Sequence, residues 1–307
     1  MRMLIVGAGA IGGFYGAHLA KAGRDVTFLV RPRRAEQLRQ SGLQLKSPKG
    51  NISIAPKLVT ADRLDGGYDI ILVAVKAFSL EAVMADMAPA VGSKTMILAP
   101  LNGMKHIDLL SARFGKKVVL GCASKIAVDL GADGSINHFA PHEDIAYGEM
   151  DGSKSERSTA LNAFMQDAGF TARLVQDIAR ELWEKWILLS AMGGINCLMR
   201  GSIGEVEAAP GGAAFALQLL DEILAIVSKV GVAPSPQFLG FVKGMMTAKG
   251  SPVTSSMYRD LSKGAPVEAD EIIGDLVARG VVAGIAAPML SAVYANLCVY
   301  QARIKKV

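Results

Sequence analysis

The chain has 307 residues, of which 51% are hydrophobic and 20% are charged. This balance excludes intrinsic disorder, and the length suggests about two globular domains. The net charge is +5, from 33 basic and 28 acidic residues. The basic residues are scattered, so we expect no nucleic-acid partner, although a local basic site for a small anion fits the composition.

The three cysteines, Cys122, Cys197 and Cys298, are far apart in the sequence and form no CxxC pair. This pattern excludes a disulfide framework and a zinc ribbon, and it fits the reducing cytoplasm. We expect each cysteine to be a small buried apolar residue. Residues 280–302 carry no charge, but Pro288 predicts a turn followed by a buried helix, so we expect no membrane segment.

Short apolar runs alternate with helical patterns in the first half of the chain. Buried strands are predicted at residues 3–6, 26–30, 70–75 and 95–98, with further candidates at 118–122, 145–148 and 172–175. Helical patterns occupy residues 11–21 and 32–41, and residues 51–59 indicate a weaker strand or hairpin. This alternation predicts an α/β domain with a parallel sheet that is covered on both faces.

The second half of the chain has a different pattern, in which no convincing strand follows Gln176. Helices are predicted at residues 177–200, 211–230, 235–247, 267–279 and 288–304. We therefore place a domain boundary near residue 176. The prediction is an α/β domain over residues 1–176 and an all-helical domain over residues 177–307, with the active site in the cleft between them.

A glycine-rich turn, G-x-G-x-x-G, follows the first predicted strand and opens the first predicted helix. In this strand–turn–helix setting the motif predicts a Rossmann-type dinucleotide site. The glycines allow a tight turn, a close backbone approach to a pyrophosphate and close packing of helix on strand. The residues that we assign to the cofactor are Gly7, Gly9, Ala10, Ile11 and Gly12.

The second predicted strand ends in Arg31, Pro32, Arg33 and Arg34. Enzymes that use NAD usually carry a carboxylate there, which binds the ribose 2′-hydroxyl. Arginine instead forms forked hydrogen bonds to phosphate, so the sequence favours NADP(H) over NAD(H). The alternative is that these arginines only solvate the start of a helix.

Three further polar positions lie where ligands of such folds bind. Lys76 and the pair Asn102-Gly103 follow later predicted strands, at the carboxyl edge of the sheet. Lys185 precedes a long uncharged run, and a partly buried lysine can donate a proton near neutral pH. The alternatives are a solvated loop lysine, a simple turn and a lysine that extends its amine to solvent.

The segment Ser-Ser-Met-Tyr-Arg-Asp over residues 255–260, with Lys263-Gly264 and Glu268 behind it, resembles the ketopantoate reductases (2-dehydropantoate 2-reductases). The glycine-rich turn, Lys76, Asn102-Gly103 and the Trp-Glu-Lys of residues 183–185 appear in the order found in that family. The resemblance spans essentially the whole chain. It implies NADPH-dependent reduction of ketopantoate to pantoate, in pantothenate and coenzyme A synthesis.

The resemblance also implies roles for individual residues. Lys185 would protonate the ketone oxygen, and Glu268 would bind the substrate hydroxyl and help to place Lys185. Substrate contacts are assigned to Asn102, Ser256, Lys76 and Asn196. Besides the glycine-rich turn, cofactor contacts are assigned to Arg31, which would take the 2′-phosphate, and to Lys76, Asn102 and Glu268.

The sequence departs from the family at two positions after the lysine. Leu189 and Gly193 stand where the best-known members carry asparagines, and Asn196 compensates only in part. Lost amides weaken the recognition of polar substrate groups. The alternatives are therefore a reductase of a larger or more apolar 2-oxo acid, and a non-catalytic NADPH-binding regulator.

Two further expectations concern partners and metals. His138 and His142 are four residues apart, but they lie in a predicted loop with no third ligand, so we predict no metal site. The predicted partner is a small-molecule 2-oxo acid. The apolar helix over residues 288–304 packs either inside the chain or across a homodimer interface.

Overall fold

The structure is a computed structural model that describes residues 1–304, without the side chains of residues 140–142. Contacts within the chain define two compact units. The first unit consists of Met1–Leu101 and His106–Ala179. The second unit runs from Arg180 onward and also includes the short segment Asn102–Lys105. The sequence did not predict that this segment belongs to the second unit.

The first unit is built on a mixed sheet. Its described strands are β1 (Arg2–Val6), β2 (Asp25–Leu29), β3 (Leu43–Lys46), β4 (Ile52–Ile54), β5 (Lys57–Val59), β6 (Ile70–Val73), β7 (Met96–Leu98), β8 (Val119–Leu130), β9 (Ile136–Gly148) and β10 (Thr171–Leu174). The strand order is β4-β3-β9-β8-β7-β6-β1-β2-β5, and β10 pairs with β9. The central strands β8-β7-β6-β1-β2 run parallel, so their carboxyl ends share one edge.

The helices of the chain follow the predicted alternation in the first unit and dominate the second. They are α1 (Ala10–Lys21), α2 (Pro32–Ser41), α3 (Leu80–Met87), α4 (Lys105–Phe114), α5 (Glu156–Met165), α6 (Ile178–Met199), α7 (Ile203–Ala208), α8 (Gly212–Val230), α9 (Pro236–Met246), α10 (Ser256–Ser262), α11 (Asp275–Val282) and α12 (Pro288–Ile304). A π-helical turn at Asp270–Gly274 precedes α11. The predicted fold class, a Rossmann-type sheet domain followed by helices, is confirmed.

The hydrophobic core of the first unit forms where α1 packs on the sheet. Phe14 and Tyr15 of α1 are fully buried, together with Ile5 and Phe28 of the sheet. The hydroxyl of Tyr15 lies 2.8 Å from the Ser124 hydroxyl of β8, which satisfies the polar end of an otherwise apolar ring. This packing fixes the helix that follows the glycine-rich turn.

The strands predicted at residues 118–122 and 145–148 are present but longer than predicted, and of the two alternatives for residues 51–59 the hairpin was wrong. Residues 118–122 and 145–148 are the ends of the long antiparallel hairpin β8–β9, whose middle was not predicted because it is half exposed and polar. Residues 51–59 do not form a hairpin. Instead, β4 pairs antiparallel with β3, and β5 pairs parallel with β2, because each short strand extends a different edge of the sheet.

The cysteine prediction holds for two of three residues. Cys122 and Cys197 are buried, whereas Cys298 is exposed because it lies on the outward face of α12, away from Leu290, Val293 and Leu297. Burial raises the pKa of Cys197 to about 12, so its thiol is unreactive near neutral pH. In the described residues, no helix is both long and apolar enough to cross a lipid bilayer.

Candidate active site

The glycine-rich turn joins β1 to α1 as predicted. Gly7 has a φ of +97°, and a Cβ there would lie 2.9 Å from the Ala74 carbonyl oxygen, so other residues are strained at this position. A Cβ at Gly12 would lie 2.1 Å from the Gly7 oxygen. Gly12 therefore packs closely against Gly7, and Gly7 packs against the segment that follows β6.

The open side of this turn fits the pyrophosphate of a dinucleotide. A Cβ at Gly9 would meet no described atom within 4 Å, so the backbone is accessible there. Helix α1 starts at Ala10, its N-cap residue Gly9 makes no side-chain capping hydrogen bond, and its first turn contains no acidic residue. Its backbone N–H groups and the positive end of the helix dipole favour an anion.

The three arginines after β2 divide into two kinds. Arg34 is partly buried, and its Nη2 donates to the carbonyl oxygens of Ala8 and Gly134 at 3.0 Å each. Burial lowers the pKa of this guanidinium, which still stays charged near neutral pH. Arg34 thus braces the glycine-rich turn, whereas Arg31 and Arg33 at the start of α2 are exposed to solvent. The sequence pattern did not distinguish them.

Lys76 is distant from the glycine-rich turn in the sequence, but it follows a segment that packs against that turn. It is exposed and follows β6, which pairs in parallel with β1, so both strands end at one edge of the sheet. Ala74, two residues earlier, is the residue that packs against Gly7. This places Lys76 on the side of the sheet where the glycine-rich turn lies.

In the second unit, the structure joins two predicted site residues that are 166 positions apart. The Asn102 side-chain amide donates to Oε2 of Glu268 at 2.9 Å, and both residues are partly buried. Gly103 has a φ of +76°, and a Cβ there would lie 2.3 Å from the Glu271 carbonyl oxygen. The Asn-Gly turn therefore packs directly against the segment that carries Glu268.

Lys185 is partly buried on α6 between residues that are held firmly. Trp183 and Trp186 are buried, and their rings lie 5.0 Å apart. The carboxylate of Glu184 accepts hydrogen bonds from the backbone and the hydroxyl of Ser235, both at 2.8 Å. These anchors restrict the helix turn from which the lysine projects.

Gly193 lies two turns after Lys185, and the space that a side chain would fill there is taken by the Met257 side chain. A Cβ at Gly193 would lie 2.6 Å from Cε of Met257, which is 3% exposed. Met257 follows Ser256, the exposed first residue of α10. At this position, where the best-known members carry an asparagine, the chain therefore presents an apolar group in place of a hydrogen-bond donor.

Asn196 does not have the geometry expected of a substrate contact. It is fully buried, its amide donates to the Gly201 carbonyl at 2.8 Å, and its oxygen accepts from the Ser255 backbone at 2.8 Å. Ser255 in turn caps α10 by accepting from the Tyr258 N–H. This geometry favours a structural role for Asn196, which ties α6 to the turn before Ser256.

This role predicts a large stability effect. We expect Asn196→Ala to lower the free energy of unfolding by about 2–4 kcal/mol, because two buried backbone groups lose their partners. Urea denaturation measures this loss, and Gln218→Ala, at an exposed position of α8, is the matched control. An unchanged unfolding midpoint with a raised KM for substrate would instead support the direct contact.

Of the two histidines that the sequence singled out, only His138 has a described side chain. His138 lies in β9 rather than in the predicted loop, and its Nδ1 lies 3.0 Å from the Ser47 hydroxyl. The side chain of His142 lies outside the described residues. Among the side chains that the structure describes, no group of three potential ligands has the arrangement of a metal site.

Sequence reasoning missed two residues of α6 that contact the Glu268 segment. Trp186 and Ser190 both donate to the carbonyl oxygen of Ile272, in the π-helical turn. The available signal was their spacing of four residues, which places two donors on one face of a helix that is otherwise apolar there.

Comparison with known proteins identifies related chains over nearly the full length. The family model described as "Ketopantoate reductase PanE/ApbA" matches residues 3–152, and its C-terminal counterpart matches residues 177–301. An uncharacterized oxidoreductase of Bacillus subtilis, YkpB, is 36% identical over 98% of this chain and 99% of its own length. A 2-dehydropantoate 2-reductase of Mesorhizobium japonicum is 30% identical over 96% of each chain.

A solved structure with the same fold belongs to a D-mandelate dehydrogenase. It was determined in a ternary complex with NADH and anilino(oxo)acetate. It superposes with a TM-score of 0.86 over 99% of this chain and all of its own, at 19% identity. At this identity the likeness establishes the fold alone.

Proposed function

Because the chain belongs to the ketopantoate reductase family, as an oxidoreductase, we propose that it reduces a 2-oxo acid to a 2-hydroxy acid with NADPH. The proposed substrate is ketopantoate, and the product, pantoate, would serve pantothenate and coenzyme A synthesis. Residues 1–176 would bind NADP(H), and residues 177–307 would carry the substrate and catalytic groups. The observation that carries the proposal is the hydrogen bond from Asn102 to Glu268. It brings together two residues that were assigned to the site separately.

The cofactor would be held chiefly by residues of the first unit, in addition to the assigned Asn102 and Glu268. The open turn at Gly9 and the uncapped start of α1 suit the pyrophosphate. Arg31, which is exposed at the start of α2, suits the 2′-phosphate, and Lys76 suits the nicotinamide ribose. When bound, the nicotinamide supplies the hydride equivalent for the reduction.

The substrate would be held and protonated by residues of the second unit. Lys185 would donate a proton from Nζ to the carbonyl oxygen as negative charge develops there, and its ammonium would stabilise that charge. Glu268, oriented by Asn102, would accept a hydrogen bond from the substrate hydroxyl. The exposed hydroxyl of Ser256 would donate to the substrate carboxylate.

A second candidate is the reduction of a more apolar 2-oxo acid. It is favoured by the contact between Met257 and Gly193, which places a thioether where a polar side chain would have projected. Leu189, one turn nearer to Lys185, is also apolar and partly exposed. Apolar surroundings of this kind favour a substrate without a hydroxyl group.

Initial rates of NADPH oxidation with a panel of 2-oxo acids test both candidates. The panel contains ketopantoate, 2-oxoisovalerate, benzoylformate and pyruvate. We expect ketopantoate to have the highest kcat/KM, by about 10-fold or more, because its hydroxyl pairs with Glu268. A preference for benzoylformate or 2-oxoisovalerate would favour the second candidate. Tight NADPH binding without reduction of any member would contradict both candidates and support a non-catalytic regulator.

A further inference from the structure

We infer that Trp186 and Ser190 are positioning residues, which hold the π-helical turn behind Glu268 and thereby fix that carboxylate for the substrate. The inference rests on the proposed function, in which Glu268 binds the substrate hydroxyl. It concerns two residues to which the family resemblance assigned no role. It also explains how α6 and the π-helical turn, which are distant in the sequence, are held together.

The two side chains converge on one backbone oxygen. The indole Nε1 of Trp186 donates to the Ile272 carbonyl at 2.8 Å, and the hydroxyl of Ser190 donates to it at 3.0 Å. Both residues are at most 1% exposed. A carbonyl oxygen has two lone pairs, so it accommodates both donors. Hydrogen bonds that are buried in this way resist exchange with water and restrict motion.

The turn that these donors hold has an uncommon geometry. In Asp270–Gly274 the backbone is π-helical, and the Asp275 N–H donates to the Asp270 carbonyl five residues earlier. Such turns are rare, and they occur often at functional sites. The Ile272 N–H donates to the Glu268 carbonyl at 3.1 Å, so Ile272 is linked to Glu268 through its amide and to α6 through its oxygen.

The same segment is held from a second side. Asn102 donates to the Glu268 carboxylate, and Gly103 packs against the Glu271 backbone. Helix α6 also carries Lys185, one residue before Trp186. The hydrogen bonds to Ile272 therefore fix the π-helical turn to the helix that bears the proposed acid, so that displacement of one alters the geometry of the other.

A purely structural role for Trp186 is the competing explanation. Its ring packs at 5.0 Å from Trp183, and the Arg279 guanidinium lies 5.5 Å from its centroid. Both contacts stabilise the helical unit without reference to Glu268. Trp186→Phe keeps an aromatic ring and removes the N–H donor, and Ser190→Ala removes one hydroxyl, so both variants address the hydrogen bonds.

The experiment compares Trp186→Phe, Ser190→Ala and the double variant with the wild-type chain. Ser228→Ala is the matched control, since that exposed hydroxyl bonds only the Ala225 carbonyl of its own helix in the described contacts. We expect the double variant to lower kcat about 10- to 100-fold, because small misplacements of reacting groups have effects of this size. The Kd for NADPH should change much less than kcat, because most of the assigned cofactor contacts lie in the first unit. Ser190→Thr, which keeps a hydroxyl, should have most of the activity that Ser190→Ala loses.

A double-mutant cycle with Glu268→Gln separates positioning from general stability. We expect Ser190→Ala to cause no further loss of kcat in that background, because the group that it positions has already been altered. Equal losses in both backgrounds would overturn the inference. If Glu268→Gln has no measurable turnover, the cycle uses the affinity of the NADP⁺ complex for the 2-hydroxy acid product, measured by calorimetry.

Amide hydrogen exchange gives a readout that does not depend on turnover. We expect faster exchange over residues 269–274 in the double variant and unchanged exchange in the sheet unit. Unchanged exchange over residues 269–274 would overturn the inference even if the wild-type chain is active. A wild-type chain that reduces no 2-oxo acid would instead contradict the proposed function, and the exchange result would still show whether these donors hold the turn.

Discussion

Lys185→Ala is expected to lower kcat for 2-oxo acid reduction by about 10²–10⁴-fold, which is the usual contribution of a positioned proton donor. The proposed reaction places negative charge on the carbonyl oxygen, and the lysine ammonium both neutralises that charge and supplies the proton. The helix turn that bears Lys185 is anchored by buried tryptophans and by the hydrogen bond between Glu184 and Ser235, so the backbone position of the lysine is fixed.

Stopped-flow or steady-state NADPH oxidation measures this loss, and fluorescence titration measures NADPH binding. We expect the Kd for NADPH to change by less than about 2-fold, because Lys185 is not among the residues assigned to the cofactor. Lys243→Ala, at an exposed position of α9, is the matched control. Small primary amines added to the variant should restore part of the rate. Undiminished turnover would remove Lys185 as the proton donor.

Much of the fold is predictable because its signals are local. The strand β1, the glycine-rich turn and α1 follow each other directly, and each has its own pattern of apolar residues and glycines. The hairpin β8–β9 was missed because only its buried ends have continuous apolar runs. The π-helical turn was missed because nothing in the spacing of residues 267–279 distinguishes it from an α-helix.

The candidate site was predictable in its residue types and less so in their contacts. Asn102 and Glu268 were singled out separately, but their hydrogen bond depends on tertiary packing across 166 positions. Asn196 was predicted to contact the substrate as a partial replacement for the two missing asparagines, whereas its amide bonds to Gly201 and Ser255. A side chain's hydrogen-bond partners depend on which backbone groups the fold leaves unpaired, and sequence spacing does not report this.

The sequence also did not show which of the arginines after β2 is free to bind a cofactor phosphate and which one bonds to the protein backbone. All three have the residue type that binds a 2′-phosphate, yet Arg34 is committed to the carbonyls of Ala8 and Gly134. Removing Arg34 would disturb the turn that is proposed to bind the pyrophosphate, which both dinucleotides contain. The proposed selectivity for NADPH over NADH would therefore depend on the exposed side chain of Arg31, with Arg33 beside it in the sequence.

Arg31→Ala is accordingly expected to raise the Kd for NADPH about 10- to 100-fold and to change the Kd for NADH by less than about 2-fold. A hydrogen bond to a charged group contributes about 1.5–3 kcal/mol, which corresponds to this range. Fluorescence titrations with both dinucleotides measure it, and Arg39→Ala, in the last turn of α2, is the matched control. The advantage of the wild-type chain for NADPH should shrink as salt is added, because an exposed ion pair is screened. Equal losses for NADPH and NADH would mean that Arg31, like Arg34, supports the turn rather than the phosphate.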